Sequence, residues 1–460
     1  MADIKLPPSL LSWRRPTDAP QSMWRWFCFY VVRAFYRRAE ARGAEYAGET
    51  GPLLVCANHP SALVDSLVIQ AAFPRIIHPL ARSGLFKNPL LWPVLKTIQA
   101  VPIFRRQDAG SDPTKNQDSF ARCYEMLAKG EVLLIFPEGE SHSLPGMIGF
   151  KTGAARIALG ALERTGKPPV ILPVGLNYTD VGRFRSSVLV KFGRPVPVAV
   201  QPGETPEQAA VRITEQIRAA LERITLNPNS WAELETLRRL ERFFALRNGK
   251  YRKRNLDQRF RAQKKLLQAQ QRLRMADPAR VDQMRYQLDE FERLCRRVGV
   301  HDYHLTVDYA PRLVATFLLR SLVMLLALPV GLWGAVNSLL PFWLTRVLAH
   351  RLSEDRYQYD TAKICLGMGF FALFWGVQTA LAARGFGGAA ALLYGASLLP
   401  ATMLALYMRR ERERILDNIR VFFLFTRRNE LRGFLAAKRK SLERGMAKLV
   451  YLALQKPQAV

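Results

Sequence analysis

The chain has 460 residues, with 68 Lys and Arg against 38 Asp and Glu, a formal charge of +30. That length can bury a full core in two or three domains without a disulfide or metal staple, and the charge calls for an anionic partner, either nucleic acid or the acidic face of a membrane. Five scattered cysteines (Cys28, Cys56, Cys123, Cys295 and Cys365) form no C-x-x-C pair and no zinc-ligand spacing, so a disulfide framework and a metal site are not expected, and a reduced, cytoplasm-facing protein is.

In chain order, the first predicted element is a helix. The apolar run Trp24 to Tyr36 is broken by Arg25 and Arg33 and lacks a small-residue cleavage site, so it does not read as a signal peptide. Trp24, Trp26, Phe27, Tyr30, Val31, Ala34 and Phe35 recur at helical spacing and are followed by Arg37 and Arg38. Residues 1–49 are therefore expected to form an interfacial membrane-anchor helix, with a buried core helix as the alternative. Residues 50–228 alternate short β-rich runs with helical stretches, the pattern of an α/β domain. The expected strands are Leu53 to Ala57, Ile76 to Leu80, Val101 to Phe104, Val132 to Phe136, Val170 to Val174 and Val188 to Phe192. Helices are expected at Asp118 to Ala128, at Ala154 to Arg164, and from Thr205-Pro206-Glu207, where a cap residue, a first-turn Pro and an early acid coincide.

Residues 229–305 are rich in Arg, Lys, Gln, Leu and Glu, and Ala276-Asp277-Pro278 divides them, which predicts a charged helical hairpin. Leu237, Leu240 and Phe244 offer it a packing stripe, and a solvated helical spacer is favoured over a specific nucleic-acid contact. Residues 306–408 hold the long apolar runs. The run 313–348, interrupted by Arg320, Pro329, Gly331 and Pro341, is expected to be a broken or re-entrant hairpin; 364–381 and 387–408 are each long enough to span a bilayer, with a turn at Ala383-Arg384-Gly385. Basic residues flank this region on both sides, so the positive-inside tendency places the α/β domain and the tail 409–460 in the cytoplasm. That tail mixes Val421, Phe422, Phe423, Leu424 and Phe425 with many basic residues and is expected to lie along the membrane surface as an amphipathic segment.

Chemistry concentrates in two places. His59 follows the strand Leu53 to Ala57, at the strand-to-helix turn where α/β proteins place their sites, and Asp65 lies one to two helical turns on. Such a pair fixes the imidazole tautomer and lets the other ring nitrogen take a proton from a hydroxyl, with no covalent nucleophile. The second place is Phe136-Pro137-Glu138-Gly139-Glu140-Ser141-His142-Ser143, in which His142 is either a substrate contact or a turn residue. Cys56 lies within the apolar strand and reads as core rather than as a thiol nucleophile. A glycine-rich nucleotide loop is absent from the sequence, so no nucleotide cofactor is implied.

Four blocks stand in order: N-H-P-S-A-L-V-D (Asn58 to Asp65), V-P-I-F-R-R (Val101 to Arg106), F-P-E-G-E-S-H-S (Phe136 to Ser143) and L-P-V-G-L (Leu172 to Leu176). In that order and spacing the chain resembles the PlsC-like glycerolipid acyltransferase superfamily. Five residues separate His59 from Asp65 where four are common, and this makes it similar to the subgroup of fungal-type glycerol-3-phosphate/dihydroxyacetone-phosphate acyltransferases and their bacterial relatives. The resemblance implies an acyltransferase domain over 50–228, with a central mixed sheet flanked by helices, in a multi-pass protein of a bacterial inner membrane. It implies transfer of a fatty acyl group from acyl-CoA or acyl-carrier protein, as co-substrate rather than cofactor, to glycerol 3-phosphate or, alternatively, to 1-acylglycerol 3-phosphate. His59 would be the general base and Asp65 its orienting partner. Arg105 would bind the acceptor phosphate, with Arg106 as the alternative because Gln99 stands where a Gly commonly opens the second block. Glu138 and Gly139 would shape the acceptor pocket, Ser141 would supply a hydroxyl, Pro173 would lie on its wall, and Lys151 is a further phosphate ligand or a solvated helix-start lysine. The rival reading is a non-enzymatic basic membrane or nucleic-acid-binding scaffold, motivated by the arginine-rich helices; nucleic acid is the disfavoured partner, since His59, Asp65, Arg105, Glu138 and Gly139 are all intact.

Overall fold

The computed structural model describes residues 22–48, 50–89, 91–105, 114, 116–246, 255–306 and 311–455. The chain divides into two compact units. The first holds residues 22–231 together with the short stretches 255–257 and 353–364, and the second holds the remaining helices.

The first unit is built on a seven-stranded sheet in the order β1-β7-β6-β2-β5-β3-β4. The strands are β1 (Arg38–Arg42), β2 (Leu53–Ala57), β3 (Ile77–Arg82), β4 (Val101–Ile103), β5 (Val132–Ile135), β6 (Val170–Tyr178) and β7 (Ser187–Phe192). Every neighbouring pair is parallel except β6 with β7. Strand β2 is central and wholly buried, which is why it reads as an uninterrupted apolar run. Its side chains alternate between two cores. Leu53, Val55 and Ala57 join Cys28, Val32, Phe35, Val64 and Val68, from α1 (Ser22–Phe35) and α2 (Ala62–Ala72). Leu54 and Cys56 join Cys123, Leu127, Ile157, Ile213 and Ile217, from α4 (Asn116–Ala128), α5 (Gly153–Thr165) and α6 (Pro206–Ile224). A short α3 (Trp92–Thr97) precedes β4.

Local signals explain the element ends. Thr205 caps α6 through a reciprocal capping box with Gln208, Pro206 takes the first position, and such a cap is worth about 1 kcal/mol. After α3 the chain turns through Gln99, whose φ of +50° is the left-handed conformation a glycine adopts most easily. Gln99 thus makes the turn at a cost.

Two expectations for the N-terminal region change. The sheet begins before residue 50, because β1, with three charged residues in five, pairs in parallel with β7. Ala39 and Ala41 face the core, while the buried Glu40 is satisfied by the Arg38 guanidinium at 2.9 Å and the Leu256 amide at 2.9 Å. Helix α1 is in part a core helix: Cys28, Phe29, Val32 and Phe35 are buried, whereas Met23, Phe27 and Tyr30 remain exposed.

The second unit is helical. The expected hairpin is α8 (Leu256–Ala276) and α9 (Pro278–Arg297), with Asp277 capping α9 by accepting from the Arg280 amide. It is not merely a solvated spacer. Leu237 and Leu240 of α7 (Trp231–Ala245), Leu266 and Leu267 of α8, Leu288 and Phe291 of α9, and Leu435 and Met446 of α14 (Asn429–Gln455) form one buried core, so part of the basic tail packs on protein. Arg439 of α14 is buried yet fully engaged: it donates to Asp302 at 2.5 Å, to Glu443 at 3.0 Å and to the Phe243 carbonyl at 2.8 Å.

Helices α10 (Pro311–Leu326) and α11 (Leu328–Leu352) form a pair bent by 53° just before Pro329. Helices α12 (Tyr359–Phe386) and α13 (Gly388–Arg427) are each long and apolar enough to cross a membrane. The turn between them sits at Gly387, with a φ of +86°, rather than at Ala383-Arg384-Gly385, which α12 runs through. Leu392 and Leu393, about three-quarters exposed, are what a lipid-facing surface requires. Helices α11 and α13 meet at small residues: a Cβ on Gly334 would come within 2.2 Å of the Ala401 backbone, and the Ser338 and Thr402 hydroxyls pair at 2.5 Å beside it.

Candidate active site

Three strand ends build the site. Beyond β2, Asn58 binds the Leu176 backbone of β6 in both directions: its Nδ2 donates to the carbonyl at 3.1 Å and its Oδ1 accepts from the amide at 2.7 Å. The chain is therefore fixed before it turns. The next amide, that of His59, donates to Oε1 of Glu138 at 2.8 Å, and the imidazole stacks on Phe136 with centroids 3.7 Å apart and planes 9° from parallel. Backbone and ring are held separately.

His59 Nδ1 meets Asp65 Oδ2 at 2.9 Å. The five-residue gap is closed by a turn in which Ala62 adopts a φ of +46°, a conformation that costs about 1–3 kcal/mol in a non-glycine residue. That turn starts α2, and Asp65 lies in the helix's first turn, where the macrodipole favours negative charge. Asp65 is fully buried, and its two oxygens also take the Ser61 amide at 2.7 Å and the Tyr178 hydroxyl at 2.6 Å. Burial raises its carboxyl above the ordinary carboxylate range, while the His59 ring, the Tyr178 hydroxyl and the Ser61 amide pull it back. The same burial, together with the Asp65 charge, pushes the Tyr178 phenol well up, so it stays a donor. With Nδ1 turned inward, Nε2 is the ring atom left for a substrate proton, and the side chain is 17% exposed.

The loop after β5 supplies the opposite side. Glu138 is buried, and its Oε2 accepts from His142 Nε2 at 2.5 Å and from the Ile148 amide at 3.0 Å. His142 Nδ1 in turn accepts from the Leu144 amide at 3.2 Å, so both of its ring nitrogens serve the loop. Gly139 has a φ of +76°, and a Cβ there would lie 2.8 Å from the Lys151 side chain. Its carbonyl accepts from Arg105 Nη1 at 3.0 Å. Arg105, Gly139 and Lys151 thus come together, with Ser141 half-buried two residues on. Pro173 sits inside β6, level with Cys56 and buried in the sheet before the site is reached. Arg106 lies outside the described residues.

Cys56 is fully buried and its thiol is pushed far above the ordinary range, which suits a core residue. Among the described residues no group of three or more His, Cys, Asp and Glu is placed to hold a metal. Asn58 and Phe136 stand within the motif blocks, but their roles appear only in three dimensions. Tyr178 could be found only by following β6 past the fourth block to its end.

Residues 38–177, which carry all of these groups up to the edge of Tyr178, match the acyltransferase family. This region is an acyltransferase domain. Among curated proteins it is similar to glycerol-3-phosphate O-acyltransferase 1 of Saccharomyces cerevisiae, at 31% identity over 131 residues, which are 26% of this chain and 17% of the yeast protein. It is also similar to glycerol-3-phosphate O-acyltransferase 2 of the same yeast, at 28% identity over 28% of this chain and 18% of the relative. A chloroplastic 1-acyl-sn-glycerol-3-phosphate acyltransferase of Brassica napus is 30% identical over 28% of this chain and 38% of its own length. The chain therefore spans less than a fifth of the length of the yeast relatives it matches. In this acyltransferase domain the expected mixed sheet flanked by helices is present, and the His59–Asp65 pair lies at the end of its central strand.

Proposed function

We propose that the protein transfers a fatty acyl group from acyl-CoA or acyl-carrier protein to a hydroxyl of glycerol 3-phosphate, with His59 as general base. The observation that carries the reading is the His59–Asp65 contact at 2.9 Å inside an acyltransferase domain, with Nε2 left for the acceptor. Nε2 takes the hydroxyl proton as the oxygen attacks the thioester carbonyl. The tetrahedral intermediate then collapses, the C–S bond breaks, and the thiolate leaves with the proton from His59. Asp65 stabilises the imidazolium that forms between these steps. Arg105 and Lys151, gathered around Gly139, are the proposed ligands of the acceptor phosphate, for which a guanidinium and an ammonium are suited. Glu138 acts as a brace for the His59 backbone and the loop rather than as a substrate contact. Ser141 is a proposed pocket hydroxyl, and no cofactor is required beyond the acyl donor.

We propose further that α12 and α13 span a bilayer with the catalytic unit on the cytoplasmic side, in a bacterial inner membrane. Their length and composition support the spans, and the basic residues on either side support the orientation. The plant relative favours a second acceptor, 1-acylglycerol 3-phosphate, which shares the phosphate and the free hydroxyl. A matrix of both acceptors against acyl-CoA and acyl-carrier protein decides between them. Glycerol 3-phosphate is expected to be the faster acceptor; exclusive use of the lysophospholipid would reverse the assignment. Absence of transfer in every combination, together with salt-sensitive RNA or DNA binding, would favour the scaffold reading instead.

A further inference from the structure

The turn that carries His59 is tied to a stretch of chain 299 residues away. Residues 353–364 belong to the catalytic unit, although the helices they join, α11 and α12, lie for the most part in the helical unit. The stretch clamps the loop that follows β6. Arg356 donates to Asp180 Oδ1 at 2.5 Å and to the Val181 carbonyl at 3.1 Å, and Lys363 Nζ donates to the Gly182 carbonyl at 2.5 Å. Gly182 has a φ of +81°, and a Cβ there would lie 3.3 Å from the Arg356 carbonyl, so the two backbones run close together.

Asp360, at the centre of the stretch, is fully buried, and its Oδ2 accepts from the Ser61 hydroxyl at 3.1 Å and the Tyr36 hydroxyl at 3.2 Å. Ser61 is thereby gripped twice. Its hydroxyl is held by Asp360, and its amide is spent on Asp65 Oδ2, the same oxygen that faces His59 Nδ1. The Tyr36 ring lies 5.7 Å from the ring of Tyr178, whose hydroxyl occupies the other Asp65 oxygen. A buried carboxylate is a costly way to fill space, and an apolar side chain would do that better. Two hydroxyl donors on one oxygen make it a fixed strut, set against the turn that contains the left-handed Ala62.

We propose that Asp360 is a positioning residue for the His59–Asp65 pair, acting through Ser61, so that the stretch running from the end of α11 into the first turn of α12 completes the catalytic site. The kinetic side of this inference rests on the acyl-transfer reading above. Its structural side does not.

The test uses the full-length protein in detergent or bilayer discs, with the variants Asp360→Ala, Asp360→Asn, Ser61→Ala and the Asp360→Ala/Ser61→Ala double. Asp360→Ala is expected to lower kcat about tenfold while the KM values for acceptor and donor stay within threefold. Asp360→Asn keeps an oxygen that can accept both hydroxyls and should retain at least a third of wild-type kcat. Ser61→Ala should match Asp360→Ala, and the double variant should lose less than a further twofold. Hydrogen exchange in a peptide spanning residues 58–66 should quicken at least fivefold in Asp360→Ala and Ser61→Ala, with β6 unchanged. Should Asp360→Ala fail to fold, Ser61→Ala removes the same link and carries the test alone. Unchanged kcat in Ser61→Ala, multiplying losses in the double variant, or unchanged exchange at the turn would each overturn the proposal. A wild-type protein that transfers no acyl group would sink the functional reading, and hydrogen exchange would still decide this one.

Discussion

Both units bury charge, and they use it differently. In the catalytic unit Asp65 and Glu138 spend their oxygens on donors that orient one imidazole and its backbone: the Ser61 amide and Tyr178 hydroxyl on Asp65, the His59, His142 and Ile148 groups on Glu138. In the helical unit Arg439 spends its guanidinium on Asp302, Glu443 and the Phe243 carbonyl, which locks α14 against neighbouring helices. Desolvation is the common cost. One network holds a reactive geometry that includes a left-handed Ala62; the other holds helices together. Equal burial therefore does not mean equal role, and mutation should separate the two.

The largest effect belongs to the imidazole. His59→Ala should lower kcat by about 10³-fold, within the usual range for loss of a general base, while the thermal unfolding midpoint hardly moves. A well-folded variant that keeps most of its acyl transfer would end the general-base assignment. The opposite profile is expected of Arg439→Ala. It strands the buried Glu443 carboxylate and the half-buried Asp302 carboxylate and should cost the helical unit about 3–5 kcal/mol, seen as loss of its cooperative unfolding transition in calorimetry, because the buried cation of an ion-pair network has been removed.

Tyr178→Phe sharpens the comparison by touching the carboxylate and not the base. Burial holds the Asp65 carboxyl above the ordinary range, and the proposed mechanism needs its ionised form, so on that proposal the contribution of Asp65 is present above its folded pKa and lost as pH falls through it. Removing the Tyr178 hydroxyl withdraws a donor to that ionised form and raises the pKa further. The acid limb of kcat/KM should move to higher pH, with a fall of roughly tenfold, about 1.4 kcal/mol, in kcat/KM near neutrality. An acid limb that stayed put would mean the hydroxyl only packs. The smallest effect is a gain: Gln99→Gly relieves a left-handed residue after α3 and should add about 1 kcal/mol to the stability of the catalytic unit, read as a higher denaturant midpoint with kcat unchanged.

Much of the sheet was legible because its strands are short apolar runs between breakers. Strand β2 lies at Leu53–Ala57 as expected, and β5 and β7 agree with the expected runs to within a residue. The pair His59 and Asp65 was legible from the four ordered blocks. Strand β1 was not, since Arg38, Glu40 and Arg42 give it the composition of a basic flank, and only pairing with β7 makes a strand of it. Helix α14 has the sequence of a membrane-surface tail for a similar reason: its stripe of Leu435 and Met446 shows that something covers it without saying what.

By itself, then, the sequence determined the alternation of strands and helices, the ends marked by Thr205, Pro206 and Asp277, and which residues gather at the ends of β2 and β5. These are consequences of period, cap and turn chemistry within a few residues of chain. The tertiary structure alone decided that Phe136 stacks on His59, that Glu138 braces the loop, that Tyr178 closes on Asp65, and that Asp360 reaches Ser61 across 299 residues. The physical reason is that a buried polar group must find its partner in space, and nothing in a local pattern records which distant donor or acceptor will stand there.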